Sequence, residues 1–333
     1  MKDENDKAVA GELPEDPEEG TRVIDDGPRL VNVHDLLNGS LQRALKPRQK
    51  RGGTTGNRRL DQITGGLRGG FTWVMAAETS FGKSSWAVSL ADQNLKSGGH
   101  VLIISTEDAP GIYGDRLLAR RGKINAKRLR DGEITQDERN RAVEVVQRAE
   151  KEPIYLNAIG KPVEWVLKHL PIMVREYAID IVIVDYLQEM KAEKRYQDRR
   201  LELAAIAGDL RASIKSLGVC GILLSQITKK ADGGPPNKYS IRDSQDVANG
   251  AEVVVLGYEI ATQFTDERGN EWKAGTKVLK VDKNKTGPKG TVPMTWDSEI
   301  AAFYDEPDPT YDAIDNLHDD FNDVFKDDFD NTR

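Results

Sequence analysis

"FTWVMAAETSFGKSSWAVSLADQNLKSG" spans residues 71–98 and decides how the rest of the chain is read. Its first seven residues, FTWVMAA, carry no charge and have the make-up of a buried strand. KSSWAVSLADQNLKSGG reads as a helix closed by Gly98 and Gly99. Between strand and helix lies AETSFGKSS, residues 77–85. It follows the phosphate-loop pattern G-x-x-x-x-G-K-[ST], except that Ala77 stands in for the first glycine. The first position only turns the chain out of the strand, and alanine is the smallest side chain that can replace glycine there. Glu78, Thr79, Ser80, Phe81 and Gly82 form the loop, and Lys83, Ser84 and Ser85 open the helix. Their backbone N–H groups and the positive helix end suit a phosphate. Lys83 is expected on the β- and γ-phosphates, and the Ser84 hydroxyl on Mg2+. Gly82 is expected to be hard to replace because a side chain there would meet the phosphate.

Moving outward, strands and helices alternate. HVLIIST, PIYLN, IDIVIVD (179–185), VCGILLSQ and EVVVLGYE read as further strands. Residues 111–150 read as one long helical stretch, 162–177 as a helix that Pro171 should kink or split, and RRLELAAIAGDLRASIKSLG as an amphipathic helix. Near-continuous aliphatic strands between helices predict an α/β fold with a mainly parallel sheet covered on both faces. TKVLKVDKNKTGPKGTVPMTW alternates and turns at Gly287–Pro288, which predicts a C-terminal antiparallel hairpin.

The ends of these strands carry the chemistry. Asp185 closes IDIVIVD and is the second metal candidate beside Ser84. Glu107 follows VLIIST and is the candidate general base, with Asp108 as its competitor. Gln226 closes ILLSQ, where an amide can bond the γ-phosphate and report its loss to the segment ITKKADGG. Phosphate loop, Glu107, Asp185 and Gln226 are expected together on the carboxyl edge, where open α/β sheets bind ligands.

The formal charge of −7 hides an uneven distribution. Residues 1–20 carry −6 and residues 305–333 carry −9, which leaves +8 for residues 21–304. A basic body between acidic ends is compatible with nucleic acid. One cysteine excludes a disulfide framework, and no apolar run approaches the roughly 18 residues of a membrane span. The N-terminal stretch lacks the apolar core of a signal peptide. The expected organisation is a disordered acidic leader (1–29), a linker helix and basic linker (30–52), a motor domain (53–304) and an acidic tail (305–333). The linker helix suits either its own domain or a neighbouring subunit.

Taken together, these residues resemble the C-terminal motor domain of the DnaB-type replicative helicases, with its RecA-like three-layer fold. TGNRRLDQITGGLRGG resembles the family's lead-in, AETSFGKSS its phosphate loop, and VDYLQEM its Asp-Tyr-Leu-Gln signature. LLSQITKK resembles the Ser-Gln strand, IRDSQDVANGAEVVV a DNA-contacting loop, and KNKTGPKGTVPMTW the terminal hairpin. An acidic leader takes the place of the family's N-terminal domain, as in a compact, phage-borne form. The resemblance implies a homo-hexameric ring around single-stranded DNA, ATP and Mg2+ at the subunit interfaces, 5′-to-3′ movement, and the cytoplasm of a bacterium or phage-infected host. It places Arg242, Asp243 and Gln245 on the DNA backbone, although Gln245 replaces a small residue usual there. Lys191, Lys194 and Arg195 either line the channel or form a solvated turn.

One departure stands out. The family offers Lys-x-Arg to the neighbour's γ-phosphate, whereas this chain has Lys283-Asn284-Lys285. Lysine is a point charge where arginine forks two donors, and paired lysines resemble the RecA-type recombinases. A filament-forming strand-exchange or mediator ATPase is therefore the second reading, and an ATP-gated recruiting platform the third. The tail intersperses Phe321, Val324, Phe325 and Phe329 among aspartates. It suits docking on a polymerase, primase or single-strand binding protein, mimicry of DNA in the channel, or plain solvation.

Overall fold

Alternation along a single strand sets the architecture. In β1 (Thr72–Ala77) every residue is buried. Trp73, Met75 and Ala77 face one core, whereas Val74 and Ala76 face another. Side chains of a strand alternate between faces, so a strand buried throughout must be covered on both sides. In this computed structural model the described residues are 53–158, 160–227, 235–241, 245–265 and 271–305, with 33, 34, 37, 38 and 41. The chain divides into Met1–Pro47 and Arg48–Arg333. In the first unit all five described positions are helical.

The second unit is built on one large sheet. Its parallel part comprises β1, β2 (Val101–Ser105), β3 (Ile154–Ala158), β4 (Ile181–Asp185), β5 (Cys220–Gln226) and β6 (Val253–Glu259). A separate ribbon pairs β7 (Phe264–Thr265) with β8 (Glu271–Trp272), which the sequence reading did not foresee. Strands β9 (Lys277–Asn284), β10 (Gly290–Asp297) and β11 (Ala302–Tyr304) extend the large sheet antiparallel beyond β6. Its nine strands lie in the order β11-β10-β9-β6-β1-β5-β4-β2-β3.

Before β1, helix α1 (Arg58–Thr64) is capped by the Asn57 side chain and ends at left-handed Gly65. Helix α2 (Lys83–Lys96) packs Trp86, Leu90 and Ala91 on the core that holds Trp73 and Met75. On the opposite face α6 (Val163–Glu176) contributes Val163, Val166 and Leu170, and α7 (Arg199–Leu217) contributes Leu203, Ile206, Leu210 and Ile214. The result is a three-layer, RecA-like α/β sandwich with the expected C-terminal antiparallel strands.

One local expectation needs correction, and of the two alternatives at Pro171 the split does not occur. The 111–150 stretch is three helices: α3 (Pro110–Gly122), α4 (Ala126–Asp131) and α5 (Gln136–Arg148). Lys123 and Gly132 end the first two in the left-handed region, and Asn125 and Thr135 cap the next ones. Pro171 does not split α6. It lies on the exposed face, while Val163, Val166 and Leu170 anchor the opposite one. Core packing of that stripe outweighs the missing N–H.

Candidate active site and nucleic-acid interface

Four neighbouring strands, β1, β5, β4 and β2, end at one edge, and each end carries a residue singled out from the sequence. Ala77 pairs with Gln226 across β1 and β5, and Ser105 with Asp185 across β2 and β4. The loop leaves β1 with the Glu78 N–H donating to the Gly257 carbonyl at 3.3 Å. Ser80 lies in the left-handed region at φ 67°, and Gly82 at φ 104° serves as N-cap of α2 without a side-chain cap. The first N–H groups of α2 thus have no intrahelical acceptors, and no side chain caps them, as an anion site requires. Gly82 is constrained by the fold itself, besides the expected clash with phosphate. Its φ excludes most side chains, and an added Cβ would lie 3.1 Å from the Phe303 ring.

The loop rests on an aromatic platform. Phe81 is buried and stacks on Phe303 at 5.4 Å, and Trp296 tilts against Phe303 at 4.6 Å. Lys277 reaches over this group and donates to the Phe81 carbonyl at 2.7 Å. Burial pushes the Lys277 ammonium below its ordinary value, opposed by Glu259. Gly257 completes the fit, because a Cβ there would lie 2.7 Å from the Phe81 ring. Nothing in the loop motif itself points to Lys277, which comes from a strand almost 200 residues away.

Asp185 is 3 % exposed. Burial lifts its carboxyl above the ordinary range, while hydrogen bonds from Tyr113 and Ser84 and the charges of Arg116 and Lys83 oppose that. The Tyr113 hydroxyl donates to it at 2.7 Å. Burial in turn pushes Lys83 below its ordinary value, opposed by Asp185 and Glu107. The Lys83 ammonium stands 5.7 Å from the centre of the Tyr186 ring. Ser84 and Asp185, the two expected Mg2+ ligands, lie close enough for the Ser84 hydroxyl to favour the ionised Asp185 carboxylate. Both offer hard oxygens, and a buried carboxylate with a raised pKa is relieved by a cation. Among the described residues no three acidic, His or Cys side chains form a cage of their own. The residues fit a cation that arrives with phosphate oxygens.

Glu107 and Asp108 separate by their partners. Asp108 is ion-paired with Arg116 at 2.8 Å. Glu107 is exposed at the rim, and burial, then Asp108, Glu189 and Asp185, raise its pKa above the ordinary value. Gln226 donates through Nε2 to the Thr79 hydroxyl of the phosphate loop at 2.7 Å. Its own backbone N–H donates to Gln188, which also donates to Ser225 at 2.7 Å. Gln188 belongs to the Asp-Tyr-Leu-Gln stretch, so that stretch locks β5 to β4 as well as supplying Asp185. Sequence reasoning missed Tyr113, Gln188 and Lys277; only the quoted signature hinted at Gln188.

Lys283 and Lys285 are not at this edge of their own chain. Lys283 donates to the Ala248 and Asn249 carbonyls, the latter at 2.6 Å, at the end of α8 (Gln245–Gly250). Burial, then Lys285 and Lys238, lowers its pKa. Lys285 pairs with Glu252 at 2.9 Å. Between the lysines and the hairpin root, the register of β9 on β6 jumps and leaves Asp282 outside the ladder. Asp282 accepts the Lys238 N–H at 2.9 Å, and Lys280 donates to the Pro236 carbonyl at 3.0 Å. Strand β9 thus grips the chain on both sides of residues 242–244. Arg242 and Asp243 lie outside the described residues, and Gln245 is described only as the start of α8. Lys191, Lys194 and Arg195 are exposed on the loop after β4.

The chain is 27% identical over 303 residues to a protein named replicative DNA helicase DnaB from Buchnera aphidicola subsp. Acyrthosiphon pisum, with 86% of this chain and 64% of that one covered. It is 26% identical over 258 residues to a DnaB from Geobacillus stearothermophilus, covering 75% and 55%. The chain spans between about half and two-thirds of the length of these relatives. A solved ATPase domain superposes with a TM-score of 0.73 at 21% identity, covering 82% of this chain and 98% of that domain. A DnaB-like replicative helicase, described with its primase interactions, superposes at 0.72 and 21% identity, covering 82% and 68%. At that identity the likeness establishes the fold alone. The family model for the DnaB-like helicase C terminal domain matches residues 52–305, and with the strand ends arranged as above, the chain belongs to that family.

Proposed function

We propose that this chain is the motor of a replicative DNA helicase that hydrolyses ATP with Mg2+ and moves along single-stranded DNA as a homo-hexamer. The observation that carries this reading is the contact between the phosphate loop and the end of β5, Gln226 to Thr79 at 2.7 Å. It ties the nucleotide end of the sheet to the chain that continues toward residues 242–245. In this reading residues 77–85 hold the nucleotide, Lys83 bearing on its phosphates, and Ser84 and Asp185 hold the metal. Mg2+ bound there neutralises phosphate charge. Glu107 takes the proton of the attacking water. Gln226 passes the change at the phosphates to the segment that reaches Arg242, Asp243 and Gln245, with Lys191, Lys194 and Arg195 lining the same channel. Lys283 and Lys285 face the neighbouring subunit's nucleotide in the ring, where a cation stabilises developing charge.

Residues 53–304 form the motor, and movement is 5′-to-3′, in the cytoplasm of a bacterium or a phage-infected host. No helix among the described residues is long and apolar enough to cross a membrane. Primase, polymerase or single-strand binding protein are the partners suited to the acidic tail. Strand exchange rests on the two lysines alone. The decisive experiment is ATP hydrolysis with and without single-stranded DNA, and unwinding of a fork, for the native chain and Lys83→Ala. The native chain should show DNA-stimulated hydrolysis and unwinding, and the variant neither. Unwinding retained by Lys83→Ala would overturn the site assignment, and a chain that stays monomeric with both ligands would overturn the motor.

A further inference from the structure

A second site lies on the flank of the fold, at the far end of α2 from the phosphate loop. Thirteen residues separate Lys83 from Lys96, about 20 Å along a helix. Here α2, α3, α5 and β11 border an open cleft of about 320 Å³. Five cations line it: Lys96, Arg120, Arg121, Lys123 and Arg148, against two carboxylates, Asp92 and Glu152. The carboxylates are already engaged by the two arginines at the bottom. Asp92 takes Arg120 Nε at 3.0 Å and Arg121 Nε at 2.7 Å, and Glu152 pairs with Arg121. Among the described residues, Arg121 Nη2 is nevertheless buried without an acceptor. Lys96, 3.9 Å from the shared Asp92, and Lys123 add charge at the rim, and among the described residues Arg148 has only an exposed pairing with Glu144. The cavity is thus net positive and holds an unmet donor, and Leu95 and Val145 give it apolar wall.

The last wall is Tyr304, beneath the Arg120 guanidinium at 5.0 Å and the Lys123 ammonium at 4.4 Å. Tyr304 ends β11, and the described chain stops one residue later. Residues 306–333, which lie outside the described residues, contain ten acids and two bases, with Phe321, Val324, Phe325 and Phe329 among them. The tail therefore starts at the lip of a cleft of opposite charge. An extended chain covers about 3.3 Å per residue, so 28 residues reach any part of the cavity. Tethering gives such a segment a high effective concentration at modest closure cost.

We infer that this basic cleft is the seat of the chain's own C-terminal acidic segment, which places carboxylates on Lys96, Lys123, Arg121 and Arg148 and an aromatic side chain against Leu95 and Val145. The tail then lies on the flank, away from the nucleotide edge, and a partner that uses it must first lift it out of the cleft.

Zero-length carbodiimide coupling of the full chain tests this, because it joins lysine amines only to carboxylates already in contact. An equal mixture of ordinary and nitrogen-15 chains separates coupling within one chain from coupling between copies. The expected result is coupling of Lys96 and Lys123 to acids in 306–333 of the same chain. Arg148→Glu, a change at an exposed position, should lower the yield about fivefold, as should roughly 1 M salt. Yields no higher than at Lys168 and Lys215 on the opposite face overturn the proposal. So do coupling only between copies, coupling to Lys191 or Lys194 instead, and yields that Arg148→Glu leaves unchanged.

Discussion

At the residue scale, the site is a set of charges whose ordinary behaviour is altered by what surrounds them. Glu107 carries a raised pKa because of burial and three nearby acids. A general base works only when ionised, so hydrolysis should fall on the acid side at a pH above the ordinary 4.5. Asp108→Asn removes the largest of those acidic contributions, which favours ionised Glu107. The acid limb of kcat should therefore move to lower pH in that variant; an unmoved limb argues against Glu107 as the base. Glu107→Gln should cut kcat by about 10²-fold or more with nucleotide binding retained, measured by single-turnover hydrolysis and direct titration. Lys277 acts through another group. Lys277→Met removes the support of the Phe81 carbonyl and should raise KM for ATP by about tenfold while kcat changes little.

At the element scale, β9 joins two regions that the site needs to be joined. It places Lys283 on the end of α8 and, through the bulged Asp282, holds the segment before residue 241. If this grip transmits the nucleotide state, Asp282→Ala should reduce DNA stimulation of hydrolysis by about tenfold and leave DNA-free hydrolysis near native. Equal loss of both rates would show that Asp282 only stabilises the fold. The α4–α5 turn offers an independent pH check. Hydrogen bonding from Arg128, then from the Thr135 N–H, holds Glu138 down at about 2. A depressed carboxyl stabilises the folded state fully above its ordinary 4.5 and loses that contribution as pH falls toward about 2. Glu138→Gln should therefore lower the thermal midpoint at pH 7 and make little difference near pH 2.

At the scale of the whole molecule, the charge arrangement matters more than its sum. The logarithm of the affinity for single strands should fall linearly with the logarithm of salt, with a slope of about −0.7 per phosphate contacted. Replacing Lys191, Lys194 and Arg195 by Ala should flatten that slope by roughly two units if they line the channel, and leave it unchanged if they form a solvated turn. Much of this was legible in the sequence. Period and apolar content identified the six parallel strands and two of the core helices, and five of those strands are buried on both faces and so have no alternative composition. The phosphate loop, Asp185, Glu107 and Gln226 were legible because each sits at the end of such a strand, and parallel strands put their ends on one edge. Helix breaks within 111–150 were not, since capping at Asn125 and Thr135 competes with continuing a helix by only a small margin. Nor were the partners of the site. Tyr113 on Asp185, Thr79 on Gln226 and Lys277 on Phe81 each join residues 72 to 196 positions apart. Local sequence determined the elements and which residues end them, since propensity and periodicity act over a few neighbours. The sheet order alone decided which of those ends meet, because strand pairing is a contact between distant segments and no short stretch encodes it.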